Sequence, residues 1–246
     1  MARTLSKLGY CSRSQAAELV RAGRVHLNGR AVRNPEAPVH LPHDRIMVDG
    51  APVARAEKIY LMLNKPRGIV TTASDEKGRE TVYSLLASDQ RQWLAPVGRL
   101  DKASEGLLLL TNDPEWAARI TAPETHLDKT YHVHINCVAD EALREQLRRG
   151  VQTPEQEILR AKQASLLRSG EKNSWLEITL DQGKNRHIRR MLAALDIEVL
   201  RLVRVAIGPL QLGNLGKGKY RVLARDERQS LDRAMKIAEK NQAARR

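Results

Sequence analysis

The chain has 246 residues, 41% of them apolar, enough for one large domain or two smaller ones with real cores. Its 42 Lys and Arg outnumber 29 Asp and Glu, giving a formal charge of +13, which points to a polyanionic partner through long-range attraction and counterion release. No apolar run of about 18 residues occurs and the first 30 residues are charged throughout, which argues against a membrane span or secretory leader and for a soluble, cytoplasmic protein. Cys11 and Cys137 lie far apart without CxxC pairing, so reduced thiols are expected and no structural metal. Phe is absent and aromatics total 3%, which counts against a sheet that binds bases on rows of exposed rings.

In chain order, Ser12 and Gln15 have capping-box spacing for a helix from Ser14 to Ala22, with Gly23 as its stop. Asn28-Gly29 predicts a tight turn between the strands Arg24 to Leu27 and Arg30 to Val32, and Asp49-Gly50 a second between Arg45 to Val48 and Ala51 to Val53. Arg13, Arg21 and Arg24 belong to a dense set of cations here that is either a solvated face or a set of phosphate contacts. Residues 55–58 form a short charged linker to the apolar strand Ile59 to Leu63. From there to about residue 225 strands and helices mix without regular alternation, so the fold class is α+β.

Leu107 to Leu110 predicts a strand buried on both faces, and Asp113-Pro114 a capped helix start. The loop from Gly98 to Gly106 is therefore pinned between buried elements and carries Asp101 between Arg99 and Lys102. Neighbouring cations favour an ionised carboxylate, suited to a nucleophile or base, although read alone such an Asp is more often a turn or salt-bridge residue. Lys129 to Ile135 alternates as a strand with Tyr131, Val133 and Ile135 on one face, where Tyr131 reads as a core residue. Further on, Asn185 is a candidate cap for a helix carrying Ile188, Met191, Leu192 and Leu195 at helical spacing. Arg186, Arg189 and Arg190 crowd the start of that helix and oppose its dipole, which calls for a protein carboxylate or an RNA phosphate. The pairs His132/His134 and His40/His43 lack a third ligand, and no GxxxxGK[ST] or GxGxxG occurs, so neither metal, ATP nor nucleotide cofactor is expected. Residues 226–246 read as a polar helix fraying into a solvated basic tail.

Two resemblances extend this reading. Leu5 to Arg13, Ala16-Ala17 and Gly23 to Gly29 resemble the S4-type RNA-binding domain, which implies an RNA-facing surface on helix and hairpin across residues 1–54. Gly98-Arg99-Leu100-Asp101, with Leu63 to Gly68 and Gly78 to Val82, is similar to the pseudouridine synthases, in the branch that modifies ribosomal RNA and often carries an N-terminal S4 domain. That resemblance spans residues 3–223 and implies a catalytic domain over 59–225 with a mixed, mainly antiparallel sheet flanked by helices. It implies Asp101 as the catalytic residue, Tyr131 as the ring that stacks on the target base, and Arg189 as the cation paired with Asp101. Arg99 is then a substrate contact, and Arg186 and Arg190 are RNA contacts. Arg204 is implied to serve structure or RNA backbone binding, and His187 stands where the family often has Gln. The expected partner is ribosomal RNA or a ribosome assembly intermediate, bound by a monomer. The rival is a noncatalytic assembly protein, for which Asp101, Tyr131 and Arg189 together have no purpose.

Overall fold

A computed structural model describes residues 1–72, 78–87, 93–125 and 127–243, with side chains described as far as residue 236. In the N-terminal module, α1 (Ala2–Lys7) packs on α2 (Arg13–Arg21). Ser12 Oγ accepts the Gln15 N–H while the Gln15 side chain accepts the Ser12 N–H, the reciprocal arrangement its spacing predicts. Strands β1 (Val25–Leu27), β2 (Arg30–Val32), β3 (Ile46–Val48) and β4 (Ala51–Pro52) form a sheet in the order β2-β1-β3-β4. Asn28 and Gly29 both adopt positive φ, at 52° and 83°, as the tight hairpin turn requires. Leu5, Ala16, Val20, Val25, Ile46 and Val48 close a small core between the helices and this sheet.

The larger domain comprises β5 (Tyr60–Lys65), β6 (Ala95–Val97), β7 (Glu105–Thr111), α3 (Pro114–Thr121), β8 (Lys129–Ile135), α4 (Glu141–Arg149), β9 (Val151–Gln152), β10 (Ile158–Leu159), β11 (Gln163–Ser169), β12 (Ser174–Leu180), α5 (His187–Ala193), β13 (Val199–Ile207), β14 (Leu210–Gln211), β15 (Tyr220–Val222) and α6 (Arg225–Ala243). Its nine-stranded sheet runs β11-β12-β8-β13-β7-β5-β15, with β14 beside β13 and β6 beside β7. All pairings are antiparallel except β13 with β7, which meet over Val203/Glu105 and Arg204/Gly106. At this junction Gly106 has φ +102°, and a Cβ there would stand 2.2 Å from the Arg204 carbonyl oxygen, so only glycine lets the strands approach. Every residue of β7 is buried, as its run of leucines predicts for a central strand covered on both faces. Asp113 accepts the Trp116 N–H and caps α3.

One core lies between α4, α5 and the β8–β12–β13 face, around Val133, Ile178, Leu147, Met191 and Leu202. A second gathers Trp116, Ile120 and Leu109 with Leu231 and Met235 of α6. That second core corrects the solvated tail: the first turns of α6 bury Leu231 and Met235 fully, and the Trp116 indole N–H donates to Asp232 at 3.0 Å. In the sequence Leu231, Ala234, Met235 and Ala238 have the i, i+3, i+4, i+7 spacing of an apolar face, a pattern overshadowed by the charged residues around it. The basic end beyond residue 236 lies outside the described side chains.

The two domains are joined at Asn112, whose side chain accepts the Ile59 N–H (2.9 Å) and donates to the Glu57 carbonyl (2.7 Å). Lys58 Nζ donates to the Lys7 carbonyl at 2.8 Å, and Lys7 pairs with Glu115 of α3 at 2.5 Å.

Candidate active site

The segment 100–104 enters β7 at the parallel junction, and all five of its carbonyls are held. Leu100 O accepts from Thr71 Oγ1 (2.8 Å), Asp101 O from the Ser104 N–H (2.9 Å) and Lys102 O from the Gly68 N–H (2.8 Å). Ala103 O accepts from Arg189 Nη2 (3.1 Å) and Ser104 O from Lys65 Nζ (2.8 Å). With its backbone tied from β5, α5 and the segment after β5, the loop aims the Asp101 side chain and leaves it 37% exposed. That carboxylate lies in a cleft of about 620 Å³ lined also by Arg99, Tyr131, Lys129, Arg186 and Arg204.

Lys65 is buried completely, and desolvation pushes its ammonium down to about 8 against the upward pull of Glu105 and Asp101. Glu105 itself is 3% exposed and held by Arg201 (2.8 Å) and Lys217 (2.7 Å), which keep its carboxylate below the ordinary range despite burial.

The cations around α5 are placed differently from the expectation. Arg186, not Arg189, stands nearest Asp101, with Nη1 at 3.9 Å from Oδ2. Arg189 turns to backbone carbonyls, those of Ala103 and Val199, so it steadies the loop 100–104. Burial lowers its guanidinium pKa, and Arg186 adds to that while Asp101 opposes it. Arg190 is engaged by Glu157 (2.7 Å) and Glu155 (3.1 Å), and Lys184 by Glu157 (2.8 Å). The cations that crowd this helix start are therefore answered chiefly by protein oxygens, and Arg186 remains exposed at the cleft mouth. Asn185 does not cap α5. The cap position belongs to Arg186, left-handed at φ +50° and without a side-chain cap, because ion pairs to the β9–β10 turn hold the loop instead of a local hydrogen bond. His187 is buried, and desolvation lowers its pKa, so it serves packing here and not an exposed RNA contact.

Tyr131 is half-buried, reaching two cores while one side lines the cleft. Arg99 is exposed on the rim. Arg204 is buried, with Nε donating to the Leu107 carbonyl at 2.7 Å, which favours the structural half of its expectation. In the N-terminal module Arg24 makes a two-pronged bond to Asp49 (2.8 and 2.5 Å) that fastens the base of one hairpin to the turn of the other. Arg13 reaches Glu36 only at 3.5 Å, and Arg21 is exposed. His132 lies 3.3 Å from Glu177 while His134 stacks on Trp175, and among the described residues no group of three or more His, Cys, Asp or Glu is placed to hold a metal ion.

Sequence reasoning missed Lys65, Thr71 and Lys129. Lys65 and Lys129 sit inside the quoted motifs, and the alternation of β8 already puts Lys129 on the face of Tyr131. Thr71 carried no signal.

A helix and hairpin RNA-binding module joined to a basic cleft with one rigidly presented aspartate and one ring defines an RNA-modifying enzyme of two domains. Residues 59–194 match the family model described as RNA pseudouridylate synthase, and residues 2–55 match the S4 domain. The chain is 38% identical over 232 residues to an RNA pseudouridine synthase of Aquifex aeolicus, covering 94% of this chain and 92% of the relative. It is 36% identical over 227 residues to the ribosomal large subunit pseudouridine synthase B of Bacillus subtilis, covering 92% of each. A crystal structure of a pseudouridylate synthase superposes with a TM-score of 0.67 at 30% identity, over 94% of this chain and 98% of that one. The chain belongs to the RNA pseudouridine synthase family: it is an isomerase acting on RNA, with an N-terminal S4 domain.

Proposed function

We propose that the protein converts a uridine of ribosomal RNA to pseudouridine with Asp101 as its catalytic residue. The observation that carries this reading is the loop 100–104, whose five carbonyls are all held while the Asp101 side chain lines the cleft. Ribosomal RNA as substrate is supported by likeness to a relative named for the large ribosomal subunit.

Isomerisation breaks the bond between N1 and C1′ and makes one from C5 to C1′, so no redox agent or energy source is required. The target nucleotide leaves its stack and enters the cleft. Tyr131 stacks on the base, a contact worth roughly 1–3 kcal/mol and comparable to the cost of extrusion. Asp101 acts first, by attack at C1′ or by removing a ribose proton. Arg186 faces its carboxylate, Arg189 holds the loop, and Arg99 and Arg186 receive flanking phosphates. Arg21 and Arg13 of the S4 domain contact RNA at a distance from the cleft, whereas Arg24 and Arg190 are committed to protein carboxylates. We place the reaction in the cytoplasm, on ribosomal RNA or an assembly intermediate, carried out by a monomer. No helix among the described residues is long and apolar enough to cross a membrane.

The test uses ribosomal RNA labelled with tritium at uridine C5. Wild-type protein releases the label and forms pseudouridine, and Asp101→Asn falls to the uncatalysed background. Release by Asp101→Asn near the wild-type rate removes Asp101 from this role. RNA binding by the wild type without pseudouridine, on free RNA and on assembly intermediates alike, favours the noncatalytic rival.

A further inference from the structure

The cleft holds two cations that the mechanism above leaves unused. Lys129 opens β8 and shares the face of Tyr131, one pleat away, so about 6–7 Å separates their Cα atoms. Among the described residues no carboxylate lies within ion-pair distance of its Nζ: Asp128 is taken by Lys162 at 2.7 Å, and Asp128 and Asp181 bear on Lys129 only through space. Opposite Tyr131 on the neighbouring strand β13, Arg204 is 6% exposed, and its Nη2 is buried without a hydrogen-bond partner. Two buried or half-buried cations beside each other, incompletely satisfied and open to one cavity, are costly unless an oxygen ligand completes them.

The walls identify that ligand. Lys129 lies between Leu180 and Ile207, its cross-strand neighbours, and Ile188 and Leu202 line the same cavity. All four are nearly fully buried. The apolar walls beside Lys129 suit a planar neutral ring, whereas a phosphate would lose its hydration against them, and exposed Arg99 and Arg186 already wait on the rim.

We propose that Lys129, backed by Arg204, is a further catalytic residue whose ammonium meets a carbonyl oxygen of the extruded uracil and holds the negative charge the base acquires as it leaves the ribose. This rests on the function proposed above. When the N1–C1′ bond breaks, its electron pair passes to N1 and spreads through the ring to O2 and O4. The ring then turns, C5 bonds to C1′, the C5 proton is released and N1 takes one up, so the composition is unchanged. The anion forms whichever first step Asp101 performs, and a fixed cation set among buried apolar side chains stabilises it more than it stabilises the neutral base. Burial, followed by the neighbouring Arg204 guanidinium, holds the Lys129 pKa down at about 8, so the ammonium is charged below that pH and lost above it.

The experiment compares Lys129→Met and Lys129→Arg with the wild type on large-subunit ribosomal RNA transcripts carrying either uridine or 5-fluorouridine. Single-turnover conversion is read by nucleoside mass spectrometry, alongside RNA affinity and thermal midpoint. Lys129→Met is expected to lower the rate on uridine by about 10²–10³-fold with affinity unchanged, the usual loss for one oxyanion donor. On 5-fluorouridine C5 has no proton to release, so once C5 bonds to C1′ the fluorine stays, water adds hydroxide at C6 and its proton passes to N1; the deficit shrinks there, because fluorine stabilises the departing anion. Lys129→Arg retains activity and declines less than the wild type above about pH 8, the remaining decline belonging to Lys65, which loses its charge in the same range. Weaker RNA binding with an unchanged rate makes Lys129 a phosphate contact and overturns the proposal, as does an equal deficit on both substrates or no deficit. Should Lys129→Met not fold, the pH profile of Lys129→Arg decides alone. A wild type inactive on every RNA defeats the proposed function instead, whereas an active wild type matched by Lys129→Met defeats only this inference.

Discussion

Lys65 shows how a single buried charge serves a loop it does not belong to. Its Nζ donates to the carbonyls of Ser104 (2.8 Å) and Pro66 (3.0 Å), tying the end of β5 to the entry of β7. The cost is a depressed pKa of about 8 against the ordinary 10.5. Between these values the unfolded chain keeps a proton that the folded chain has released, so this group adds stability as pH rises through the window and weighs against folding below it. Urea denaturation at about pH 8 and about pH 10 should therefore show a gain with pH in the wild type that is reduced in Lys65→Met. The same substitution leaves two carbonyls without their donor, so the single-turnover rate should fall while RNA affinity holds. The neighbouring Arg189 was legible as important, but its role was not. A position three residues into a helix says that a guanidinium is near the loop, and only the packed structure shows that it reaches carbonyls and leaves the aspartate to Arg186.

At the scale of elements, local chemistry was a good guide wherever one short stretch suffices. The capping box at Ser12, the Asn28-Gly29 and Asp49-Gly50 turns and the Asp113 cap all form as their residue types require. The failures are elements held by distant partners: α5 by Glu155 and Glu157, and α6 by Trp116. The cations around α2 divide in the same way. Arg24 is consumed by Asp49, while Arg21 is exposed. Replacing Arg21 with Gln should reduce the log-log salt slope of RNA binding by about 0.7, the value for one single-strand phosphate contact. Arg24→Gln should leave the slope nearly unchanged and lower the thermal midpoint instead. A steep loss of slope in the Arg24 variant would show that RNA displaces Asp49.

On the scale of the whole molecule, a charge of +13 is spread over two domains whose junction is centred on one buried side chain. Asn112 is 1% exposed and satisfies both the Glu57 carbonyl and the Ile59 N–H, so it sets where the linker leaves the catalytic domain. The Lys7–Glu115 pair alone is too exposed to do this. Asn112→Ala strands both backbone groups, and a cost of about 1–3 kcal/mol in urea denaturation is expected. RNA affinity should drop because the S4 domain no longer stands in register with the cleft, whereas the rate at saturating RNA should stay near the wild-type value. A variant as stable and as tight in binding as the wild type would show that the junction is positioned by other contacts.

The sequence by itself determined the charge, the α+β class, the caps and hairpin turns, the buried leucine strand and, through its motifs, the family and the residue Asp101. Each of these depends on neighbours within a few positions or on patterns a family shares. Only the tertiary structure decided which cations remain free to meet RNA, because an arginine's partner can lie dozens of residues away, as Glu155 does from Arg190. It likewise decided that the loop 100–104 is held at every carbonyl, with donors from residues 65, 68, 71, 104 and 189. Asp101 is legible in sequence as a carboxylate in a basic turn, and its fixed aim is a property of the fold.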